Sequence, residues 1–163
     1  IEGPQTHPDL IVRPWLNDEM VIVSAPTHPL AGRPVGLRML REASWALRET
    51  GSGTREAADR WLLEHLGEID VGFELGSPEA IKRLVAAGTA LGCLSRQAVA
   101  QALAQGTLVE LRTRLPPAVR RLAMVLHRDK QLGRGAQDFV SQCAAFRRER
   151  PPPAAASRGR ALL

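Results

Sequence analysis

Hydroxyl and glycine residues are concentrated in one short segment, Thr50-Gly51-Ser52-Gly53-Thr54. The apolar run at 45–47 predicts a strand before it, and an apolar face with helical spacing predicts a helix after it. The first amides of a helix have no internal acceptor and lie at the positive end of the helix dipole. Ser52, Gly53 and Thr54 therefore form a candidate anion-binding turn.

A second turn with the same design follows the alternating run at 70–75, where the sequence reads Gly76-Ser77-Pro78. Serine is a favoured residue at the N-cap of a helix, and proline is favoured at the first helical position. The sequence therefore predicts a strand, a turn and a helix that ends near Gly88, since glycine is common just after a helix.

A third apolar run, at 91–94, ends at Ser95 and precedes another helical pattern. Three consecutive strand-to-helix units predict parallel strands with right-handed crossovers. Ser52, Ser77 and Ser95 would then lie at one edge of the sheet, where open α/β proteins bind ligands. The alternative is that each serine only caps its own helix.

The two ends of the chain add strands around this core, and the overall prediction is an α/β fold. Strands are predicted at 10–12, 20–23, 108–111 and 122–126, a short helix near 37–40, and a final helix over 139–146. The first two strands are expected to be separate, with residues 14–18 between them. Strands from both chain ends beside one core suggest two lobes joined by two crossing strands.

The residues that could support catalysis are scattered. The four histidines lie in different predicted elements, and no zinc-binding spacing, Gly-x-Ser-x-Gly or Gly-Lys-Ser/Thr motif occurs. His65 falls on an apolar helix face, so a core or boundary position is favoured over a metal site. The sequence therefore favours a binding role over an enzyme, with no catalytic residue, metal or cofactor.

The net charge of +5 is mostly a property of the C-terminal tail. Five arginines and one glutamate follow Phe146, which accounts for four of the five charges. The Pro/Ala-rich tail, 147–163, is predicted to be disordered, and the remaining chain is not basic enough to favour a nucleic-acid interface. Cys93 and Cys143 resemble small core residues. With no membrane-spanning run or signal peptide, we expect no membrane contact and a cytoplasmic location.

Four segments together resemble the effector-binding domain of LysR-type transcriptional regulators. They are His28-Pro29-Leu30-Ala31, the segment Arg48-Glu49-Thr50-Gly51-Ser52-Gly53-Thr54-Arg55, the segment from Leu75 to Gly88, and Cys93-Leu94-Ser95-Arg96. The resemblance extends from Ile1 to about Phe146 and is strongest to members that regulate carbon fixation or sulfur metabolism. It implies a periplasmic-binding-protein-like fold of two Rossmann-like lobes, with a small anionic effector between them.

The resemblance also implies roles for individual residues. Ser52, Gly53 and Thr54 match the turn that holds the effector, and Gly76, Ser77 and Pro78 match the next turn, which lines the cleft. Ser95 and Arg96 match the region where the chain crosses back to the first lobe. The implied organisation is a first-lobe remainder and crossover strand at 1–23, a second lobe at 24–95, and a return to the first lobe at 96–146.

The family pattern has parts that this sequence lacks. We expect the winged helix-turn-helix, the linker helix and the first part of the first lobe to be absent, so that DNA would be bound only through the missing N-terminal domain. An incomplete lobe exposes sheet edges and apolar faces, which predicts a dimer or higher oligomer. A stand-alone α/β solute-binding protein or small-molecule enzyme is the alternative function.

Overall fold

The computed structural model describes residues 7–149, with side chains described through Phe146. The chain divides into two compact units. The larger unit runs from Asp18 to Arg120, and the smaller unit contains the described residues before and after it, 7–17 and 121–149. The lobe boundaries expected from the sequence, with the second lobe at 24–95, stay a prediction.

Strands and helices alternate through the larger unit, as the sequence predicts. The strands are β1 (Leu10–Ser24), β2 (Pro34–Val35), β3 (Ser44–Arg48), β4 (Asp70–Leu75), β5 (Leu91–Ser95), β6 (Val109–Glu110), β7 (Arg112–Thr113) and β8 (Ala118–His127). The helices are α1 (Leu37–Arg41), α2 (Gly53–Leu66), α3 (Pro78–Ala86), α4 (Arg96–Ala104) and α5 (Arg134–Glu149). No helix in the described range is long and apolar enough to cross a membrane.

The main sheet of the larger unit has the strand order β4-β3-β5-β1-β6. Strand β3 pairs in parallel with β4 and with β5, which confirms the predicted parallel core. Strand β1 runs antiparallel to β5 and to β6, so the complete sheet is mixed. Because β3, β4 and β5 are parallel, the turns that lead into α2, α3 and α4 leave the same edge of the sheet.

The sheet buries apolar side chains on both faces, and helices cover each face. Alternation along β3 places Trp45 and Leu47 in a cluster with Leu62 of α2. Ala46 points to the opposite face and packs in a cluster with Ile81 of α3 and with residues of α4. Trp45, Leu47 and Leu62 are fully buried, so α2 is held against β3 by apolar packing.

The sequence-based prediction of the first strands is wrong. The expected break over residues 14–18 does not occur, because β1 is one continuous strand that crosses from one unit to the other between Asn17 and Asp18. Extended backbone accommodates the fixed φ of proline, so Pro14 does not interrupt the strand. The predicted strand at 108–111 is also shorter, and Leu108 and Leu111 are buried just outside β6.

The smaller unit contains the first part of β1, most of β8 and α5. Strand β8 pairs with β1, and the Trp15 indole N–H donates to the Cys143 carbonyl at 2.7 Å. The rings of Trp15 and Phe146 lie 6.5 Å apart. Among the described side chains of this unit none is fully buried, and Phe139 is 66% exposed. Helix α5 extends to Glu149, so residues 147–149 of the predicted tail are helical; the rest of that prediction falls outside the described residues.

Candidate functional site

The turn between β3 and α2 has the predicted geometry. Gly51 has a φ of +88°, which an L side chain rarely adopts, so glycine is needed there. Ser52 is the N-cap residue of α2, but its side chain makes no capping hydrogen bond. The amides of the first turn of α2, beginning at Gly53, are therefore not satisfied by the N-cap side chain and can donate to a ligand.

Four side chains form a hydrogen-bonded network beside this turn. The Asp18 carboxylate accepts from Arg120 Nε at 2.7 Å and from Ser95 Oγ at 2.8 Å. Arg120 Nη1 donates to Thr54 Oγ1 at 3.2 Å. We call Thr54, Arg120, Asp18 and Ser95 the Asp18 network. It links the start of α2 with the end of β5, so the structure brings together two of the predicted residues, Thr54 and Ser95.

The second predicted turn, Gly76-Ser77-Pro78, is a helix start of the expected type. Ser77 is the N-cap of α3, its Oγ accepts from the Glu79 amide at 3.2 Å, and a proline follows it. This contact is the simple capping role that the sequence left open. The two turns are neighbours, because the Glu49 amide donates to the Leu75 carbonyl at 3.2 Å. The described hydrogen bonds do not join the Ser77 hydroxyl to the Asp18 network.

Ser95 and Arg96 both bind residues of β1. Ser95 Oγ accepts from the Gln97 amide at 3.2 Å, so it caps α4 while it donates to Asp18. Arg96 pairs with Glu19 at 2.9 Å and with Glu110 at 2.7 Å. Asp18 and Glu19 are the first two residues of the larger unit, so Ser95 and Arg96 both contact the segment where the chain enters it.

The other arginines near the α2 turn are paired with carboxylates. Arg55 contacts Asp59 and Glu74, each at 2.8 Å, and Arg48 Nε lies 2.7 Å from Glu49. The hydrogen bond from Arg48 lowers the pKa of Glu49 to about 2. Because the charge of each arginine is paired with a nearby carboxylate, the hydrogen-bond donors of the turn itself are the groups most suited to an incoming anion.

Concave surfaces also lie on the larger unit, and two of them adjoin residues already named. One, of about 610 Å³, is open and lies along α3, where Ser77 is among its lining residues. The other, of about 440 Å³, lies between β1 and the loop that contains Pro116. The Trp61 indole N–H, which faces this second cavity, already donates to the Pro116 carbonyl at 3.0 Å. Both volumes are large enough for a small metabolite.

Among residues 7–149 no group of three or more His, Cys, Asp or Glu side chains is arranged to hold a metal ion. His65 is half-buried, with Nδ1 2.8 Å from the Trp61 carbonyl, which agrees with a boundary position. Cys93 is buried, and burial raises the pKa of its thiol to about 12. A thiol with this pKa is a poor nucleophile at neutral pH.

Asp18 and Arg120 are the two residues of the network that the sequence analysis did not identify. They are 102 residues apart, so no local spacing connects them. Asp18 lies in the break that was expected at 14–18, and Arg120 lies just before the strand predicted at 122–126. Asp18 is buried, and a buried carboxyl group requires hydrogen-bonded or charged partners.

Comparison with known proteins identifies the family. The profile of the LysR substrate binding domain matches residues 1–148. The chain belongs to the LysR substrate-binding domain family. Its membership confirms the expected periplasmic-binding-protein-like fold. It also confirms the prediction of an effector-binding domain of a LysR-type regulator over the alternative of an enzyme.

Individual members support this assignment. The uncharacterized HTH-type transcriptional regulator YeiE of Escherichia coli K12 is 46% identical over 143 residues, which cover 88% of this chain and 49% of the relative. The chain thus spans about half the length of that relative. The RuBisCO operon transcriptional regulator of Allochromatium vinosum is 31% identical over 137 residues, and this match covers 83% of the chain and 45% of the relative.

A solved structure agrees with the LysR-domain fold. The CcmR regulatory domain of Synechocystis PCC6803, in complex with 2-PG, has a TM-score of 0.78 and 31% identity, and the match covers 90% of this chain and 71% of that domain. The effector-binding domain of QuiR in complex with shikimate matches with a TM-score of 0.74 at 19% identity, over 91% of this chain and 70% of QuiR, which supports the fold alone.

Proposed function

We propose that this domain senses a small anionic metabolite that binds at the β3–α2 turn, with Ser52, Gly53 and Thr54 as the primary contacts. The observation that carries the proposal is the uncapped first turn of α2 beside the Thr54 hydroxyl. Backbone amides, the positive end of the helix dipole and hydroxyl donors all favour negative charge at one place.

The ligand of one relative supports the same ligand class. The CcmR regulatory domain, which is 31% identical to this chain, was solved in complex with 2-PG. We infer a carboxylate, phosphate or sulfate-like group on the effector of this chain, and we propose that Gly76, Ser77 and Pro78 line the same site. Their supporting observation is the backbone hydrogen bond between Glu49 and Leu75, which keeps the two turns adjacent.

The proposal is tested with a thermal-shift screen against 2-PG, shikimate, inorganic phosphate and inorganic sulfate. A ligand at 100-fold its dissociation constant stabilises the folded state by about 2.7 kcal/mol. For a domain of this size we expect a rise in Tm of several degrees. The Ser52→Ala/Thr54→Ala protein is the comparison, because it keeps the backbone of α2 and removes both hydroxyls.

A ligand that shifts the Tm of the wild type, with a reduced shift in the double variant, supports binding at the α2 turn. Equal shifts in both proteins would place the ligand elsewhere and contradict the site. Thr89→Val is a suitable control, since it changes an exposed threonine outside the three predicted turns. Absence of any shift with all four anions would contradict an anion-binding role.

We further propose that the full protein is a cytoplasmic transcription factor whose winged helix-turn-helix binds DNA under the control of this domain. The relatives support this, since they are named transcriptional regulators. An effector controls DNA binding only if its affinity differs between two conformations. The test is a DNA-binding assay with a full-length protein, in which the ligand from the screen should change affinity or DNA bending.

Self-association is the last part of the proposal. The smaller unit has no fully buried side chain among its described residues, and Phe139 is 66% exposed on α5. We expect this unit to bury apolar surface against a second copy of the chain. Light scattering should detect a dimer or higher oligomer, and Phe139→Ser should shift the population toward monomer. A monomer over a wide concentration range would contradict the expectation.

A further inference from the structure

The hydrogen-bond directions within the Asp18 network are fixed by the chemistry of its members. An ionised Asp18 carboxylate can only accept, and the Arg120 guanidinium can only donate. Asp18 is 2% exposed and Arg120 14% exposed, so water does little to weaken their pairing. The hydrogen bond at 2.7 Å from Nε to the carboxylate therefore holds the guanidinium in one orientation.

The orientation of Arg120 determines the role of the Thr54 hydroxyl. Arg120 Nη1 donates to Thr54 Oγ1, so this oxygen is used as an acceptor and its own proton is directed away from the arginine. The Thr54 hydroxyl donates no hydrogen bond to any residue in the described part of the chain. Thr54 also belongs to the first turn of α2, so its proton is available at the same place as the uncapped amides.

We propose that Arg120 is a positioning residue of the effector site, which acts by holding the Thr54 hydroxyl as a hydrogen-bond donor toward the effector. Asp18 holds Arg120, and Ser95 in turn holds Asp18. The inference rests on the proposed anion site and adds a specificity rule to it. The effector group at Thr54 is an acceptor, such as a carboxylate or phosphate oxygen, and a donor group at that position is disfavoured.

The Asp18 network also contains the two residues at which the chain enters and leaves the larger unit. Asp18 is the first residue of the larger unit and Arg120 is its last. An effector that strengthens the hydrogen bond at Thr54 therefore acts directly on a side chain at one of the two crossing points. Arg120 is suited to this role because its planar, forked guanidinium can hold two acceptors in fixed directions.

The experiment measures anion affinity by titration calorimetry for the wild type and six variants, two of which (Ser52→Ala and Arg38→Met) are controls, with 2-PG, shikimate, phosphate and sulfate as probes. Thr54→Val removes the hydroxyl at nearly constant shape, and Thr54→Ser retains it. Arg120→Met removes the positioning group but leaves a buried carboxylate unpaired. Asp18→Asn/Arg120→Met removes both charges, so the stability lost in Arg120→Met should be regained. Thr54 still lacks its hydrogen bond from the guanidinium in this double variant.

We expect Thr54→Val and the Asp18→Asn/Arg120→Met double variant to bind the tightest probe at least about tenfold more weakly than the wild type, which is the loss of roughly one charge-assisted hydrogen bond. Thr54→Ser should bind like the wild type. The Tm of the double variant should lie above that of Arg120→Met, because no buried charge remains unpaired. A structural role alone would predict that affinity recovers together with Tm.

Three results would overturn the inference. Wild-type affinity in the double variant would mean that Arg120 only supports folding. Wild-type affinity in Thr54→Val, with binding abolished by Ser52→Ala, would keep the anion site and remove Thr54 from it. Binding of none of the four anions to the wild type would remove the proposed function and this inference with it. Arg38→Met, which changes the same charge at an 87% exposed side chain, controls for net charge.

Discussion

Asp18 and Arg120 form an ion pair at 2.7 Å between the first and last residues of the larger unit. The two residues are 102 positions apart in the chain, and both are largely buried. The pair therefore joins the point where the chain enters the unit to the point where it leaves. Through Ser95 and Thr54, the same pair contacts the end of β5 and the beginning of α2.

Arg120→Met should destabilise the protein substantially. The substitution leaves the Asp18 carboxylate buried without its cation, and breaking a buried pair in this way costs about 3 kcal/mol. The Tm should fall by roughly 6–12 °C for a domain of this size. Thermal denaturation followed by far-UV circular dichroism measures the change. Arg38→Met is the control and should leave Tm nearly unchanged, because its ion pair with Glu42 is exposed.

Gly92→Ala should destabilise the sheet by overpacking. An alanine Cβ at this position of β5 would lie 3.0 Å from Val85 Cγ2 and 3.3 Å from Val23 Cγ2, closer than normal contact. We expect a loss of about 1–3 kcal/mol in urea denaturation. The second substitution Val85→Ala opens space, so the double variant should lose less than the sum of the two single variants. Additive losses would show that the contact with Val85 is not the cause.

Gly135→Ala is the matched control for this series. An added Cβ meets nothing within 4 Å at this position, and the residue lies at the start of α5. Alanine also has a higher helix propensity than glycine. The free energy of unfolding should therefore stay the same or rise slightly.

Cys93 should be unreactive in the native protein. Burial raises the pKa of its thiol to about 12, so the thiolate is scarce at pH 8. In a Cys143→Ser protein, a thiol-specific chromogenic reagent should label almost nothing until guanidinium unfolds the chain. Labelling of the native protein at the rate of a small thiol would contradict the burial of Cys93.

The same pKa shift makes stability depend on alkaline pH. The folded state prefers the protonated thiol, whereas the unfolded chain releases the proton near pH 9, the ordinary value for cysteine. The contribution is therefore fully present below pH 9 and is lost as pH rises toward 12. Cys93→Ala should remove this part of the alkaline decline, which urea denaturation at several pH values can measure.

Glu49 should titrate well below an ordinary glutamate. Its hydrogen bond from Arg48 lowers the pKa to about 2, from 4.5. A group with a lowered folded pKa contributes stability above its ordinary pKa, and this contribution disappears as pH falls from 4.5 toward 2. An NMR titration of the side-chain carboxyl carbon gives the value. Arg48→Met should return the pKa toward 4.5, whereas Arg38→Met should leave it unchanged.

The helices and strands of the larger unit were predictable because their signals are local. Ser77 followed by Pro78 specifies a helix start through capping and a fixed φ, and the structure has that start. The break expected in β1 was wrong because Pro14, Asn17 and Asp18 are typical of a loop, while pairing with other strands decides the outcome. Strand formation depends more on context than helix formation does.

The sequence by itself determined the α/β class and the parallel core, and it predicts an anion-binding role for the Ser52–Thr54 turn. Each follows from residue types within one short segment, where backbone geometry and the free amides of a helix start act over a few residues. The tertiary structure alone decided that Asp18 and Arg120 meet beside Thr54. Such a pairing depends on which strands become neighbours in the folded chain, and no spacing along the sequence encodes it.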